Sequence, residues 1–574
     1  MKSPEIGNSN RERPLRLWPG VAIVILQWVA RFVLPELLPR TLQIGILAGL
    51  GCGLALVLWW LFFSRAPWSE RLGAVGLMAV ALVVTPFLLH ESVATGAMGM
   101  LFFLYVTPPL CLAFVVWAAL SHRLEAGPRW GFMAAAIFFA CGGWALVKTG
   151  GFTADFDSDF SWRWAKTPEE RLLARSGEEP TGSEGSLAVA GRAEWPGFRG
   201  PRRDGVVNGS RIATDWSQSP PVEVWRRSVG PGWSSFAVSG DFVYTQEQRG
   251  EEEAVTCYRA STGEPVWRHS DAARFWESNG GAGPRGTPTL SEGRVYAVGG
   301  TGILNVLDAA DGRVIWSRNT AEDTGAETPT WGFSGSPLVV EDLVLVAASG
   351  RLAAYDRASG EARWSGPTGK TSYSSPHLMT LGGVPQVLQL SGEGLRSFRP
   401  SDGMQLWEHL WPGYPIVQPA STGDGDLLIA ANESDGIRRL AVSRETGGWS
   451  VEERWTSIRL KPYFNDFVVH RGHAYGFDGA ILACVDLANG ERKWKGGRYG
   501  NGQLLLLADQ DLLLVLSERG DLALVAARPD GFDELARFPA LEGKTWNHPV
   551  LNGDLLLVRN AEEMAAFRLA RGEG

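Results

Sequence analysis

Five times between residues 258 and 494 the chain repeats one ten-residue phrase: YRASTGEPVW at 258–267, LDAADGRVIW at 307–316, YDRASGEARW at 355–364, FRPSDGMQLW at 398–407 and VDLANGERKW at 485–494. Each copy runs from a strand end through a polar turn, with Gly at the sixth place, into a short strand that reaches Trp at the tenth. Self-similarity at a fixed period marks a repeat architecture and constrains the fold before any single element is read. Gly263, Gly312, Gly360, Gly403 and Gly490 allow the positive φ that such a turn demands. The Trp is large and flat enough to fill the gap between neighbouring sheets.

Weaker copies extend the series. One ends at Trp455 after an irregular Gly447-Gly448 turn, and another at Phe538 after Asp530-Gly531. Trp225, in VEVWRR, has no turn before it. The markers at 225, 267, 316, 364, 407, 455, 494 and 538 are spaced by 42, 49, 48, 43, 48, 39 and 44 residues, which suits four short strands per unit. The tail after 538 holds about three strands and no final Trp strand, whereas VEVWRR is a strand without a blade. Pairing the two closes a ring and hides the sheet edges that an open array would expose. These spacings predict an all-β eight-bladed propeller over 193–574. A two-layer β-sandwich would need seven near-equal steps to arise by coincidence.

Residues 1–150 differ in composition. Apolar stretches at roughly 19–38, 42–63, 72–89, 97–120 and 130–147 approach the ~20 residues that cross a bilayer. This predicts an α-helical membrane domain of about five transmembrane helices. The first stretch carries Arg31, Pro35 and Glu36, with Arg31 placed to snorkel to the interface. Pro108-Pro109 should kink the fourth. Lys2, Arg11, Arg13 and Arg16 precede the first stretch, Arg65 and Arg71 separate the second and third, and Arg123 and Arg129 separate the fourth and fifth. The intervening loops hold only Arg40. By the positive-inside rule the N-terminus is cytoplasmic and the ring lies on the external, periplasmic side of the inner membrane. Between membrane and ring, 151–192 reads as a linker. Thr167, Pro168 and Glu170 form a capping box that starts a short helix, and SGEEPTGSEGS at 176–186 is a flexible stretch.

A net charge of −8 argues against nonspecific nucleic-acid binding, and the basic run RGPRRDG at 199–205 reads as a solvated loop. Cys257 and Cys484 occupy equivalent strand positions in different blades, which suits small buried hydrophobes rather than a disulfide. His470 and His473 flank a hairpin turn and lack the partners of a metal site.

Propellers bind at the axis, where the innermost strands converge. Aligning those strands on a recurring Pro places Ser235, Thr287, Ser336, Ser375, Gln418, Asp466, Gln503 and His548 in one polar collar. Asn465 and Asn547 stand one step earlier. Trp233, Arg285, Tyr373, Phe464 and Trp546 stand two steps earlier, near the channel mouth. One reading makes this a binding funnel. Arg285 holds a carboxylate, and Asp466 acts as a general base or, with Asn465, ligates a hard cation such as calcium. Trp233, Trp546, Asn547 and His548 then cradle a flat cofactor. The other reading is a water-filled channel whose polar lining has no catalytic task.

The D-x-x-x-G-x-x-x-W phrase in LDAADGRVIW, YDRASGEARW and VDLANGERKW resembles the repeat of pyrroloquinoline-quinone (PQQ) enzymes and their non-catalytic relatives. WPGFRGPRRDG at 195–205 resembles the opening strand of bacterial PQQ-like repeat proteins. Helical spans ahead of such a ring are similar in layout to membrane-bound quinoprotein glucose dehydrogenase. That resemblance implies sugar or alcohol oxidation with PQQ and calcium, and electron transfer to membrane quinone. The compact blades, without long insertions or an adjacent Cys pair, look more like the propeller lipoprotein of the outer-membrane barrel assembly machinery. That implies a binding or scaffold module whose partner is a protein or a small molecule at the axis.

Overall fold

The computed structural model describes residues 15–38, 41–121, 124–153, 158–175, 193–432 and 434–572. The expectations for Lys2, Arg11, Arg13, Arg40 and Arg123, and for the flexible stretch 176–186, lie outside these residues. The chain divides into two compact units, Met1–Ala165 and Lys166–Gly574.

In the first unit five helices are long and apolar enough to cross a membrane: α1 (Trp18–Leu37), α2 (Ile44–Phe63), α3 (Trp68–Leu88), α4 (Leu101–Leu120) and α5 (Gly127–Leu146). Their shared core holds Trp60 against Phe114 and Trp117, with ring centroids 4.8 and 5.8 Å apart. Arg31 is buried within the bundle, with its guanidinium 5.4 Å from the Phe32 ring and 5.3 Å from the Tyr105 ring, where aromatic faces offset part of the cost of its burial. Pro108 and Pro109 both lie inside α4. After α5 the chain forms a hairpin of β1 (Val147–Phe152) and β2 (Ser158–Trp162), which straddles the boundary at 150 between the expected membrane domain and linker.

The second unit begins with α6 (Pro168–Ala174), capped as expected. The Glu170 amide donates to the Thr167 hydroxyl at 3.1 Å, and the Thr167 amide to the Glu170 carboxylate at 2.6 Å. The helix is tied to the first blade: Glu169 accepts from Arg274 at 2.9 and 3.0 Å and from the Gly250 amide at 2.8 Å.

Among the described residues most of the remaining strands assemble into an eight-bladed β-propeller whose blades are antiparallel sheets. The blades cover 237–271, 289–319, 338–365, 377–410, 420–457, 468–498, 503–539 and 550–568, each counted from its innermost strand outward. The last has three strands of its own and takes its fourth, β4 (Val222–Ser228), from ahead of the first blade, with Ala566 facing Trp225. Ring closure therefore occurs where the unmatched strands implied.

The repeat phrase links successive blades. Trp267 of blade one donates its indole N–H to Ala309 O in the turn of blade two at 3.1 Å. The same bond runs from Trp225 to Ala260, Trp316 to Arg357, Trp364 to Pro400, Trp455 to Leu487 and Trp494 to Arg528. Each ring lies over its neighbour's turn. A Cβ on Gly312, where φ is +73°, would sit 2.4 Å from Trp267, and one on Gly403 2.4 Å from Trp364. Glycine is thus required twice over, for its backbone conformation and for the indole above it. The irregular turn of blade five breaks the chain of contacts, and Trp407 donates instead to Gln386 at 2.7 Å. Apolar clusters fill each gap between blades, for example Tyr244, Val255 and Trp267 against Val295, Ala297 and Leu307. Cys257 and Cys484 are free and buried in these clusters.

Candidate functional site

The alignment of innermost strands places the collar residues in one layer, but they do not face open water. All are at most 5% exposed. They bond from blade to blade: the Ser235 amide donates to Thr287 Oγ1 at 3.0 Å, Thr287 to Ser336 Oγ at 2.9 Å, and Ser336 to Ser375 Oγ at 2.9 Å. The Gln418 side-chain amide, oriented to suit its neighbours, exchanges bonds of 2.8 and 3.1 Å with the Ser375 backbone. The Gln418 backbone amide donates to Asp466 Oδ1 at 2.6 Å. Gln503 Nε2 donates to Trp546 O at 3.0 Å, and Ser235 Oγ to His548 O at 2.7 Å. Each short polar side chain satisfies a backbone group on the next blade, which buried amides require.

Further along the same strands, the segment 195–207 closes the channel. Trp195 pairs with Val238 and Leu290 donates to Pro196 O, while β3 (Val206–Val207) adds parallel to the innermost strand of blade seven. The run RGPRRDG is therefore not a solvated loop. Arg199 is 2% exposed. Its guanidinium meets Asp466 Oδ1 at 3.3 Å and donates to Phe467 O at 2.6 Å and Asp204 O at 3.0 Å. Arg203 crosses to blades three and four, donating to Ser336 O, Pro337 O and Pro376 O at 3.0, 3.0 and 3.1 Å. Innermost strands end in carbonyls that lack a further strand, and arginine supplies five donors to satisfy them.

This strap changes the reading of Asp466. Burial pushes its carboxyl up, but Arg199, His548 (Nε2 at 3.7 Å) and the Gln418 amide outweigh that and hold it below the ordinary carboxylate value. It is an anion spent on its neighbours. Asn465 Oδ1 accepts from the Tyr463 amide at 3.0 Å. Arg285 is likewise engaged: its guanidinium donates to Glu277 at 3.0 Å and to Gly281 O and Gly283 O at 2.8 Å. His548 is buried with its ring edge-on to Phe198, and Asn547 donates to Ser234 O at 2.7 Å. Burial and the charges of Arg203 and Arg199 depress nearby His377 to about 3, so it is neutral at ordinary pH.

What stays open is the opposite end of the axis. There Trp233 and Trp546 lean together with ring centroids 4.8 Å apart, and Phe464, Tyr463, Trp331 and Tyr373 continue the series at 4.9, 5.1, 6.2 and 4.8 Å. Lys544 Nζ lies 4.4 Å from the Trp546 ring and 5.4 Å from that of Trp233. Trp233 donates to Gly280 O and Trp546 to buried Glu518, both at 2.7 Å. The Trp233 loop is anchored at the ring seam by Arg559, which is fully buried and donates to Gly230 O, Gly232 O and Gln246 O. Trp331 and Tyr463 fall outside the aligned slots, so sequence spacing did not mark them. Their loops differ in length from the others, and only the folded ring brings them to the axis.

A family model described as "Outer membrane protein assembly factor BamB" matches residues 221–378 and 273–496. Over those residues the ring is similar to PQQ-like repeat propellers. An outer membrane protein assembly factor BamB of Yersinia pestis is 24% identical over 368 residues, covering 62% of this chain and 80% of that protein. The quinohemoprotein alcohol dehydrogenase ADH-IIG of Pseudomonas putida is 28% identical over 215 residues, 34% of this chain and 28% of the enzyme. The crystal structure of BamB from Moraxella catarrhalis matches with a TM-score of 0.45 at 15% identity, covering 62% of this chain and 99% of that one.

The axial residues do not fit PQQ and calcium. Asp466, the Asn465 side-chain oxygen and the Arg285 guanidinium are taken up within the protein, and Trp233 and Trp546 lie too close together to admit a flat ring between them. Among the described residues no three His, Cys, Asp or Glu side chains gather as metal ligands.

Proposed function

We propose that this chain is a membrane-anchored binding or scaffold propeller whose working surface is the aromatic end of its axis. The observation that carries this reading is the fate of the collar: it is buried, its hydroxyls bond from blade to blade and Asp466 is paired with Arg199, leaving aromatic side chains as the more accessible axial chemistry. Tyr and Trp suit such a role because they combine large contact area with a polar tip. The five apolar helices would cross the inner membrane, with the N-terminus cytoplasmic and the ring on the periplasmic side. Arg16, Arg65, Arg71 and Arg129, all on the predicted cytoplasmic side, support that direction. The relatives named for outer-membrane assembly favour a protein partner. Alcohol or sugar oxidation with PQQ and calcium is the second reading, favoured by the Pseudomonas putida match alone.

The test is direct. The full chain in detergent is mixed with PQQ and calcium and assayed for dye reduction across alcohols and sugars. The expected result is no change in the PQQ spectrum and no turnover. Turnover that depends on both additions would overturn the binding-module reading.

A further inference from the structure

In the first unit α1 widens into a π-helical turn over Val29–Val33, with Arg31 at its centre. Such turns inside α-helices recur at functional sites. Arg31 is 8% exposed, yet its guanidinium forms no hydrogen bond or ion pair among the described residues. Its contacts are the Phe32 and Tyr105 rings. A ring face answers the charge but offers no oxygen to the five N–H donors. Ionisable side chains inside a membrane bundle ordinarily pair with one another or with backbone carbonyls. Arg71 and Arg129 of the same unit do so: Arg71 donates to Ala66 O and Leu61 O at 2.7 and 2.6 Å, and Arg129 meets Glu70 at 3.1 Å. At the end of the bundle where Arg31 lies, Glu36, Glu91 and Asp159 are exposed instead.

The surroundings fix the guanidinium in place. The Tyr105 hydroxyl accepts from Ser158 Oγ at 3.0 Å, and its ring packs against Trp144 and Phe160 with centroids 6.0 and 5.1 Å away. The β1–β2 hairpin thus holds the aromatic face that the arginine rests on. On the other flank is Gly49 of α2. A Cβ there would come no nearer than 3.8 Å to another atom, Arg31 Cδ, whereas at Gly45 and Gly53 it would meet Ala30 O at 2.5 Å and Thr107 Cγ2 at 2.7 Å. The helices close tightly at 45 and 53 and less so at 49. Arg31 lies six positions inside the end of α1 and Tyr105 four inside the start of α4, which is about 6–9 Å at 1.5 Å per residue. That depth is the boundary between acyl chains and headgroups.

Resting on the reading that these helices lie in a membrane, we propose that Arg31 holds the phosphate of a membrane lipid beside Gly49 and Tyr105. The unanswered N–H groups select the ligand. Their planar fork matches two phosphate oxygens at once, which supplies both the missing acceptors and the missing negative charge. The flanking side chains select a lipid over free phosphate. Val29, Phe32 and Val33 are 44%, 40% and 48% exposed, an apolar surface on which acyl chains rest and from which an inorganic ion gains nothing.

The experiment is native mass spectrometry of the full chain released from detergent, paired with its melting temperature. The probes are phosphatidylglycerol, a diacylglycerol with the same acyl chains, and inorganic phosphate. Phosphatidylglycerol should be retained and should raise the melting temperature, and the other two at equal concentration should do neither. Arg31→Met should weaken retention about tenfold or more. Arg31→Lys, which keeps the charge without the fork, should fall between the two. Without lipid, Arg31→Met should melt no lower than the parent, because it removes a cation whose donors the protein leaves unanswered. The sequence also carries Asp155 and Asp157 between β1 and β2. A lipid-free melting loss in Arg31→Met that is matched by Asp155→Asn with Asp157→Asn would assign the arginine's partner to the chain itself and overturn the proposal. So would failure to retain phosphatidylglycerol, equal retention of the diacylglycerol, stabilisation by inorganic phosphate in place of the lipid, or retention unmoved by both Arg31 variants. A chain that stays monodisperse without detergent removes the membrane reading beneath the proposal, whereas lipid failure in a chain that needs detergent removes the lipid site alone.

Discussion

Replacing Arg199 by methionine tests the central claim that the strap neutralises the axis. The side chains of Arg199 and Asp466 are 1% and 2% exposed. Removing one member of a buried pair leaves the other charge without compensation, which costs about 3–5 kcal/mol. The bonds to Phe467 O and Asp204 O are lost as well. In a domain of this size ~1 kcal/mol moves Tm by roughly 1–2 °C, so Arg199→Met should lower the melting transition of the ring by about 3–10 °C, read by calorimetry or Trp fluorescence. The loss should depend on pH. In the parent protein the depressed carboxyl stabilises the fold above its unfolded value near ~3.9, and that contribution disappears as pH falls below it. In the variant burial dominates and Asp466 takes up a proton at higher pH. The gap between the two proteins should therefore narrow as pH drops from 7 toward 4. The double variant Arg199→Met with Asp466→Asn keeps an acceptor for the Gln418 amide and no buried charge, so it should recover most of the stability. A single variant that melts within about 1 °C of the parent, or a gap that is constant between pH 7 and 4, would refute the reasoning.

Two further perturbations probe the ring. Gly312→Ala places a methyl group 2.4 Å from Trp267 at φ +73°, whereas Gly531→Ala meets no atom within 4 Å. The first should cost roughly 2–5 kcal/mol from backbone strain and overpacking, and the second should be nearly neutral in the same unfolding measurement. His377 is depressed to about 3 by burial and by Arg203 and Arg199. The unfolded chain therefore takes up a proton that the folded ring refuses, and stability should fall between pH ~6.5 and 3 by up to about 1.4 kcal/mol per unit. His377→Phe should make the dependence of Tm on pH between 7 and 4.5 shallower, and an unchanged slope would remove this group from the acid response.

The strand count, the closure at Trp225 and the interblade role of the indoles were legible because each depends on local periodicity. The sixth-place Gly and tenth-place Trp carry their meaning in the spacing alone. The collar was legible as a layer, since one residue per blade aligns on the recurring Pro, but its use was not. Whether Ser336 or Thr287 meets solvent or a neighbouring amide depends on how tightly the inner strands converge. The strap reads as solvated because RGPRRDG has the composition of a loop, and nothing in sequence reveals that its arginines meet carbonyls of blades 130 to 270 residues away. Arg285 looked available for the same reason: Glu277 faces it only because a tight turn folds between them. Trp331 and Tyr463 reach the mouth through loops of unequal length, which erase any register.

The borrowed strand of the eighth blade sets a schedule for synthesis. Arg226 waits for Glu563, 337 positions downstream. At ~5–20 residues per second the complement of β4 leaves the ribosome on the order of 20–60 s later. Until then VEVWRR is a lone edge with unanswered amides, able to pair with whatever β-rich chain it meets. Slowing translation near the carboxyl end should raise aggregation even though every blade but one is already complete.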